Sequence, residues 1–127
     1  MRFLIEIYEE MRKVVGKDYP ILLKLTSTDF FQGGLTFSET REICKKMEEI
    51  GIDAIELSGN LHGKGESLIG ESFDGYEIQN EGYFSEFAKI ISKEIKIPVI
   101  TVGGIKTFEA TEKLLNNSNI EMFAISR

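Results

Sequence analysis

Four short apolar segments alternating with amphipathic stretches predict an α/β fold, a partial (β/α)8 TIM barrel of about four parallel strands with covering helices. Three observations carry this half-barrel reading. The first is the order of elements, a helix followed by strand–helix units and a final strand, which implies parallel pairing and right-handed crossovers. The second is the run Pro98-Val99-Ile100-Thr101-Val102-Gly103-Gly104-Ile105. It is short, β-branched and apolar, with a proline at its entry and two glycines at its exit, as a buried parallel strand should be. The third is residue parity within the strands. One set (Leu23, Leu25, Ile55, Leu57, Ile100, Val102, Phe123, Ile125) is wholly apolar, whereas the other (Leu22, Lys24, Ala54, Glu56, Val99, Thr101, Met122, Ala124) is mixed and holds two charges. Helices on one face only, with a mixed second face, fit half a barrel; a doubly wound sheet would be apolar on both faces.

Taken in order, residues 2–15 place Phe3, Leu4, Ile7, Met11, Val14 and Val15 at helical spacing, and Gly16 ends the pattern. Pro20 introduces a strand over 21–26, in which Lys24 is costly to bury without a partner. Its place near the strand's C-terminal end, where barrel sites lie, points it at a negative or electron-rich ligand. Thr36-Phe37-Ser38-Glu39 matches a capping box, and Phe37, Thr40, Cys44, Met47 and Ile50 follow on one helical face up to Gly51. Cys44 lies inside that stripe and reads as a small core residue. A strand over 53–59 ends in Ser58-Gly59.

Residues 60–82 carry five glycines and the only histidine, His62, and read as a long irregular loop of the kind that is functional or disordered. A single histidine without a second ligand at metal spacing is no metal site, and His62 reads as a solvated loop residue. Phe84, Phe87, Ala88, Ile91 and Ile95 form the next helical face. After the Pro98 strand, Thr107 caps a helix containing Leu114 and Leu115, whose N-terminus favours an anion. The last strand lies over 121–125. Loops after the seventh and eighth strands of a barrel commonly hold a phosphate, so the ends of these final two strands are the expected cofactor-phosphate site.

Composition bounds the function. The chain has 127 residues, 42% hydrophobic and 28% charged, with a formal charge of −6, one cysteine and no basic cluster. An acidic chain without such a cluster is not expected to bind nucleic acid. No apolar run approaches the ~20 residues that cross a membrane. The lone cysteine and the early Glu6 are read as those of a cytoplasmic chain.

Arg2-Phe3-Leu4-Ile5-Glu6, Leu23-Lys24-Leu25-Thr26, Gly51 through Gly59, Ile97 through Ile105 and Phe123-Ala124-Ile125-Ser126-Arg127 together resemble the old yellow enzyme family of FMN-dependent NADH:flavin oxidoreductases, collinearly over nearly the whole chain. The resemblance implies that residues 1–127 are the C-terminal half of an FMN-binding barrel, from the helix after strand four through strand eight. It implies that Lys24 faces the flavin N1/C2 carbonyl edge, where a cation stabilises the charge of reduced flavin. By the same resemblance Gly103, Gly104 and the Ser126-Arg127 backbone hold the FMN phosphate, and Ser58-Gly59 line the same end. Two departures stand out: Ser126 replaces the family's usual glycine, and Lys24 stands where arginine is common, turning a bidentate contact into a point charge.

The family's substrate-anchoring His/His or His/Asn pair, its proton-donating tyrosine and its first flavin contacts belong to strands one to four, the other half of the barrel. The expectation is a fragment of an oxidoreductase that passes hydride from NAD(P)H through FMN, inactive alone and without catalytic residues of its own. The alternative is a stand-alone phosphate-binding or interaction module. Dihydroorotate dehydrogenase-like or tRNA-dihydrouridine synthase-like barrels fit the collinear motifs less well. Open strand edges are templates for pairing. A homodimer through those edges or the inner face, burying Leu22, Val99 and Met122, is therefore expected.

Overall fold

A computed structural model of the chain describes residues 1–59 and 81–125. The elements are α1 (Arg2–Val15), β1 (Leu22–Thr26), α2 (Phe37–Ile50), β2 (Ala54–Ser58), α3 (Ser85–Ile91), β3 (Val99–Val102), α4 (Phe108–Asn117) and β4 (Met122–Ala124). The four strands form one sheet in the order β1-β2-β3-β4, every pair parallel. This is the partial barrel expected from the alternation. Within the long irregular stretch, residues 60–80, including His62, lie outside the described residues, as do Ser126 and Arg127.

The helices start where the sequence provides caps. Thr36 accepts from the Glu39 amide at 3.3 Å while Glu39 Oε2 accepts from the Thr36 amide at 2.8 Å, so the capping box forms as predicted. These bonds, chiefly the one from the Thr36 hydroxyl, hold the Glu39 carboxyl below its ordinary range. Gly51 closes α2 in the left-handed region, at φ 96°. Thr107 caps α4 by accepting from the Ala110 amide at 3.2 Å.

Register decides which face each strand residue occupies, because laterally aligned residues of a pleated sheet point the same way. Leu23 aligns with Ile55 and Ile55 with Val99; Leu25 aligns with Leu57, Leu57 with Thr101, and Thr101 with Phe123. This face meets the helices: Ile55, Leu57 and Val99 join Tyr8, Cys44, Met47, Ala88 and Ile91 in one core cluster, with Leu23, Leu25 and Phe123 packed against it. The other face carries Lys24, Glu56, Ile100 and Met122 in one row. The parity expected for β3 is therefore inverted. Val99 and Thr101 lie under the helices, and Ile100 and Val102 share the face of Lys24 and Glu56. All four β3 residues are buried, so its own pattern gives no phase, and hydrogen-bonded neighbours supply it. Val99, 1% exposed within the core, is accordingly not on a free inner face, and Ile100 takes its place beside Met122.

Helix α1 is also rotated from its expected stripe. Tyr8 is its buried residue and Leu4 and Ile5 touch the core, while Phe3 and Val14 are 76% and 85% exposed. Its orientation follows from the Tyr8–Arg12 pair. Tyr8 Oη donates to Gly51 O at 2.6 Å, and Arg12 donates to Tyr8, Gly16 O, Tyr19 O and Asp53 at 2.5–3.2 Å. Asp53 also accepts from the Ile21 amide at 2.7 Å. This network ties together the ends where β1 and β2 begin, the stability end of a barrel, and leaves the opposite end for chemistry.

Candidate functional site

Of the candidate residues that are described, Ser58, Gly59, Gly103 and Gly104 lie at the C-terminal ends of β2 and β3. Lys24 sits at the centre of β1 and aligns with Glu56, to which its ammonium is ion-paired. The Lys24 side chain is 62% exposed and that of Glu56 is 20% exposed, so the carboxylate lies deeper and the ammonium reaches outward. Among the described residues of β1–β4 these are the two charges on this face. The next row along the strands begins with Thr26 aligned on Ser58, one two-residue step of about 6.6 Å beyond Lys24. Gly59 follows Ser58, and Gly103 and Gly104 follow β3.

Gly103 and Gly104 take φ of 117° and 65°, a left-handed turn that side-chain-bearing residues adopt only under strain. They also lie beneath aromatic rings. A Cβ on Gly104 would stand 2.5 Å from Tyr83 Cε1, one on Gly103 would stand 2.7 Å from Phe84 Cδ2 and from Tyr83 Cε2, and one on Gly59 would stand 2.2 Å from Phe84 Cε1. The Tyr83 amide donates to Gly103 O at 3.1 Å, fixing this segment to the turn. Phe84 in turn stands edge-on to Tyr83 at 4.8 Å and stacks on Phe30 at 6.4 Å, so an aromatic layer backs the strand ends.

Sequence reasoning missed two of these features. Tyr83 directly follows a glycine-rich stretch that reads as irregular, so no periodicity singles it out. The Lys24–Glu56 pair was within reach, since both fell on one face of strands that are adjacent in chain order. At the start of α4, Thr107 Oγ1 donates to Glu81 Oε2 at 2.6 Å, so a carboxylate of the chain itself stands at that helix N-terminus. Cys44 is fully buried and burial pushes its thiol up to about 12, which keeps it protonated and makes it a core residue, not a nucleophile. Among the described residues no cluster of three or more His, Cys, Asp or Glu side chains could hold a metal ion, and no helix is long and apolar enough to cross a membrane.

A family model described as the NADH:flavin oxidoreductase / NADH oxidase family matches residues 1–127. The chain belongs to that family. Among curated proteins it is 33% identical over 127 residues to an NADH oxidase of Thermoanaerobacter brockii, covering 100% of this chain and 19% of that protein. It is 28% identical to a metal reductase of Desulforamulus reducens, with 100% and 18% covered, and 29% identical to an NADPH dehydrogenase of Clostridium acetobutylicum, with 99% and 34% covered. The chain thus spans between about a fifth and a third of the length of these relatives. The family reached from the sequence motifs is the one found.

The family implies a flavin in its full-length enzymes, and the residues present fit one end of such a group. A glycine turn follows β3, one side of it packed against the rings of Tyr83 and Phe84, and a cation paired with Glu56 stands on the sheet face that carries Ile100 and Met122. A phosphate needs the first and an electron-rich carbonyl edge is matched by the second.

Proposed function

We propose that residues 1–127 are the C-terminal half of an FMN-binding barrel and supply the phosphate end and the N1/C2 carbonyl edge of its flavin site. The observation that carries this reading is that Ser58-Gly59 and Gly103-Gly104 lie at the C-terminal ends of two adjacent parallel strands, with Lys24 one row below them on the neighbouring strand, in a chain of the flavin oxidoreductase family. Backbone amides of Gly103, Gly104, Ser126 and Arg127 hold the phosphate, and Ser58 and Gly59 line the adjoining wall. Lys24 places positive charge against the carbonyl edge, and Glu56 holds the ammonium on the inner face. The chemistry supplied by bound FMN is hydride transfer from NAD(P)H to an acceptor; the names NADH oxidase and NADPH dehydrogenase among the relatives support a nicotinamide donor. The activity belongs to the complete barrel, in the cytoplasm, and the chain alone turns over no substrate with NADH and FMN. A second copy of the chain covers its open strand edges.

Quenching of FMN fluorescence tests the reading. Micromolar binding weakened by Lys24→Ala is the expected result. Binding that Lys24→Ala leaves unchanged refutes the assignment of the carbonyl edge. No binding at all favours the second reading, a non-catalytic module, which is supported by the small share of each relative that the chain spans.

A further inference from the structure

We propose that Tyr83 is a positioning residue for a bound phosphate: its amide and ring lock the Gly103-Gly104 turn in the shape that presents backbone N–H groups to the anion. The proposal rests on the phosphate end of the proposed flavin site and names what holds that end in place.

Glycine loses more conformational freedom on folding than any other residue. Two in a row need an outside constraint if their amides are to meet an anion in a fixed pattern. Residues 81–83, which cross the turn just before α3, supply it. The Tyr83 amide donates to Gly103 O at 3.1 Å. The Tyr83 ring lies across both glycines. A Cβ on Gly103 would stand 2.7 and 3.0 Å from Cε2 and Cδ2, and one on Gly104 would stand 2.5 and 2.7 Å from Cε1 and Cδ1. Opposite edges of one ring thus bear on consecutive residues, and neither glycine can rotate freely beneath it. At the other end of the crossing, Glu81 Oε2 accepts from the Thr107 hydroxyl at 2.6 Å. The ring is backed in turn by Phe84, edge-on at 4.8 Å and only 3% exposed.

The locked turn suits an anion. Successive N–H groups in such turn conformations form anion-binding concavities. Gly103 is buried and Gly104 half-buried, yet among the described residues neither amide donates a hydrogen bond. Buried amides without a partner are rare, and a phosphate oxygen provides one. The Gly103 carbonyl, which would repel an anion, is engaged by the Tyr83 amide. Glu81 already places a carboxylate at the α4 N-terminus, which leaves the glycine turn, not that helix end, to the phosphate.

Titrations of the chain with FMN, riboflavin and inorganic phosphate test this, followed by the Gly103 and Gly104 amide signals in NMR spectra. Riboflavin is FMN without its phosphate, so the ratio of the two affinities isolates the phosphate end, and partial unfolding lowers both affinities alike. Tyr83→Ala should cut the FMN-to-riboflavin ratio about tenfold, the cost of ordering roughly one freed residue, and weaken inorganic phosphate by a similar factor. Tyr83→Leu, which keeps an apolar side chain at the position, should act in the same direction and guards against loss of the fold. Tyr83→Phe should change neither quantity, because ring carbons make the contacts. A ratio and a phosphate affinity that Tyr83→Ala and Tyr83→Leu leave unchanged overturn the proposal, and leave the flavin reading standing if FMN still binds more tightly than riboflavin. Inorganic phosphate that shifts both glycine amides, weakened by Tyr83→Ala, in a chain that binds neither flavin does the reverse. Glycine amides that neither FMN nor phosphate shifts overturn both.

Discussion

The glycines at the strand ends can be asked whether they serve backbone conformation, ring packing or both, because Gly59 and Gly104, compared with Gly33 in the loop between β1 and α2, separate the two causes. Gly33 has φ 84° with nothing within 4 Å of an added Cβ, so Gly33→Ala imposes strain alone. Left-handed backbone costs an alanine about 1–2 kcal/mol, and the less flexible unfolded chain returns about 0.4–1, leaving about 0.5–1 kcal/mol. Gly59 lacks a left-handed φ but would drive a Cβ to 2.2 Å from Phe84 Cε1, so Gly59→Ala imposes overpacking alone, about 1–3 kcal/mol. Gly104 combines φ 65° with a contact at 2.5 Å from Tyr83 Cε1, and Gly104→Ala should cost about 2–4 kcal/mol. Urea unfolding followed by circular dichroism measures all three. With an m value of about 2 kcal/mol/M, the midpoint should fall by about 0.25–0.5 M for Gly33→Ala and about 1–2 M for Gly104→Ala. Phe84→Ala should then relieve most of the cost of Gly59→Ala, since the two share one contact. If Gly59→Ala is as mild as Gly33→Ala, or if Phe84→Ala relieves nothing, the ring does not rest on that backbone and the reasoning fails.

Other predictions follow from single contacts. Thr101 is fully buried under the helices and its Oγ1 has no hydrogen-bond partner among the described residues, so Thr101→Val, equal in shape, should raise stability by about 1–2 kcal/mol in the same urea assay. Glu56→Gln should free Lys24 from its ion pair and tighten FMN binding, the opposite of Lys24→Ala, in the fluorescence titration. The Ile21 amide, with Arg12, holds the Asp53 carboxyl low, and Arg41, with Lys45, does the same for Glu94. Folded values below the unfolded ones of about 3.9 and 4.3 mean that this stabilisation is present above those values and lost as pH falls through the folded ones. Thermal melts should therefore drop steeply below about pH 4 in the parent and less steeply in Asp53→Asn with Glu94→Gln.

Much of the fold could be read from local chemistry. The Thr36 capping box, the Thr107 cap, the Gly51 stop and the Pro98 entry each act within a few residues of themselves, and all stand where the sequence put them. The α2 stripe of Thr40, Cys44 and Met47 also faces the core, because a helix with one clear apolar side has a single way to lie. The collinear motifs reached the family for the same reason: they are continuous in sequence.

What tertiary structure decided are the relations between segments. In β3, Val99, Ile100, Thr101 and Val102 are all buried, so only hydrogen bonding to β2 and β4 determines that Thr101 turns toward the helices and Ile100 toward Lys24. Helix α1 is apolar around a wide arc, and the Tyr8 and Arg12 contacts to Gly51 and Asp53, about forty residues away, choose which part of it is buried. The rings of Tyr83 and Phe84 reach Gly59, Gly103 and Gly104 only because parallel pairing brings β2 and β3 side by side. Composition and periodicity are properties of one segment; register, ring placement and the Lys24–Glu56 pair belong to two, and they exist only once the chain has folded.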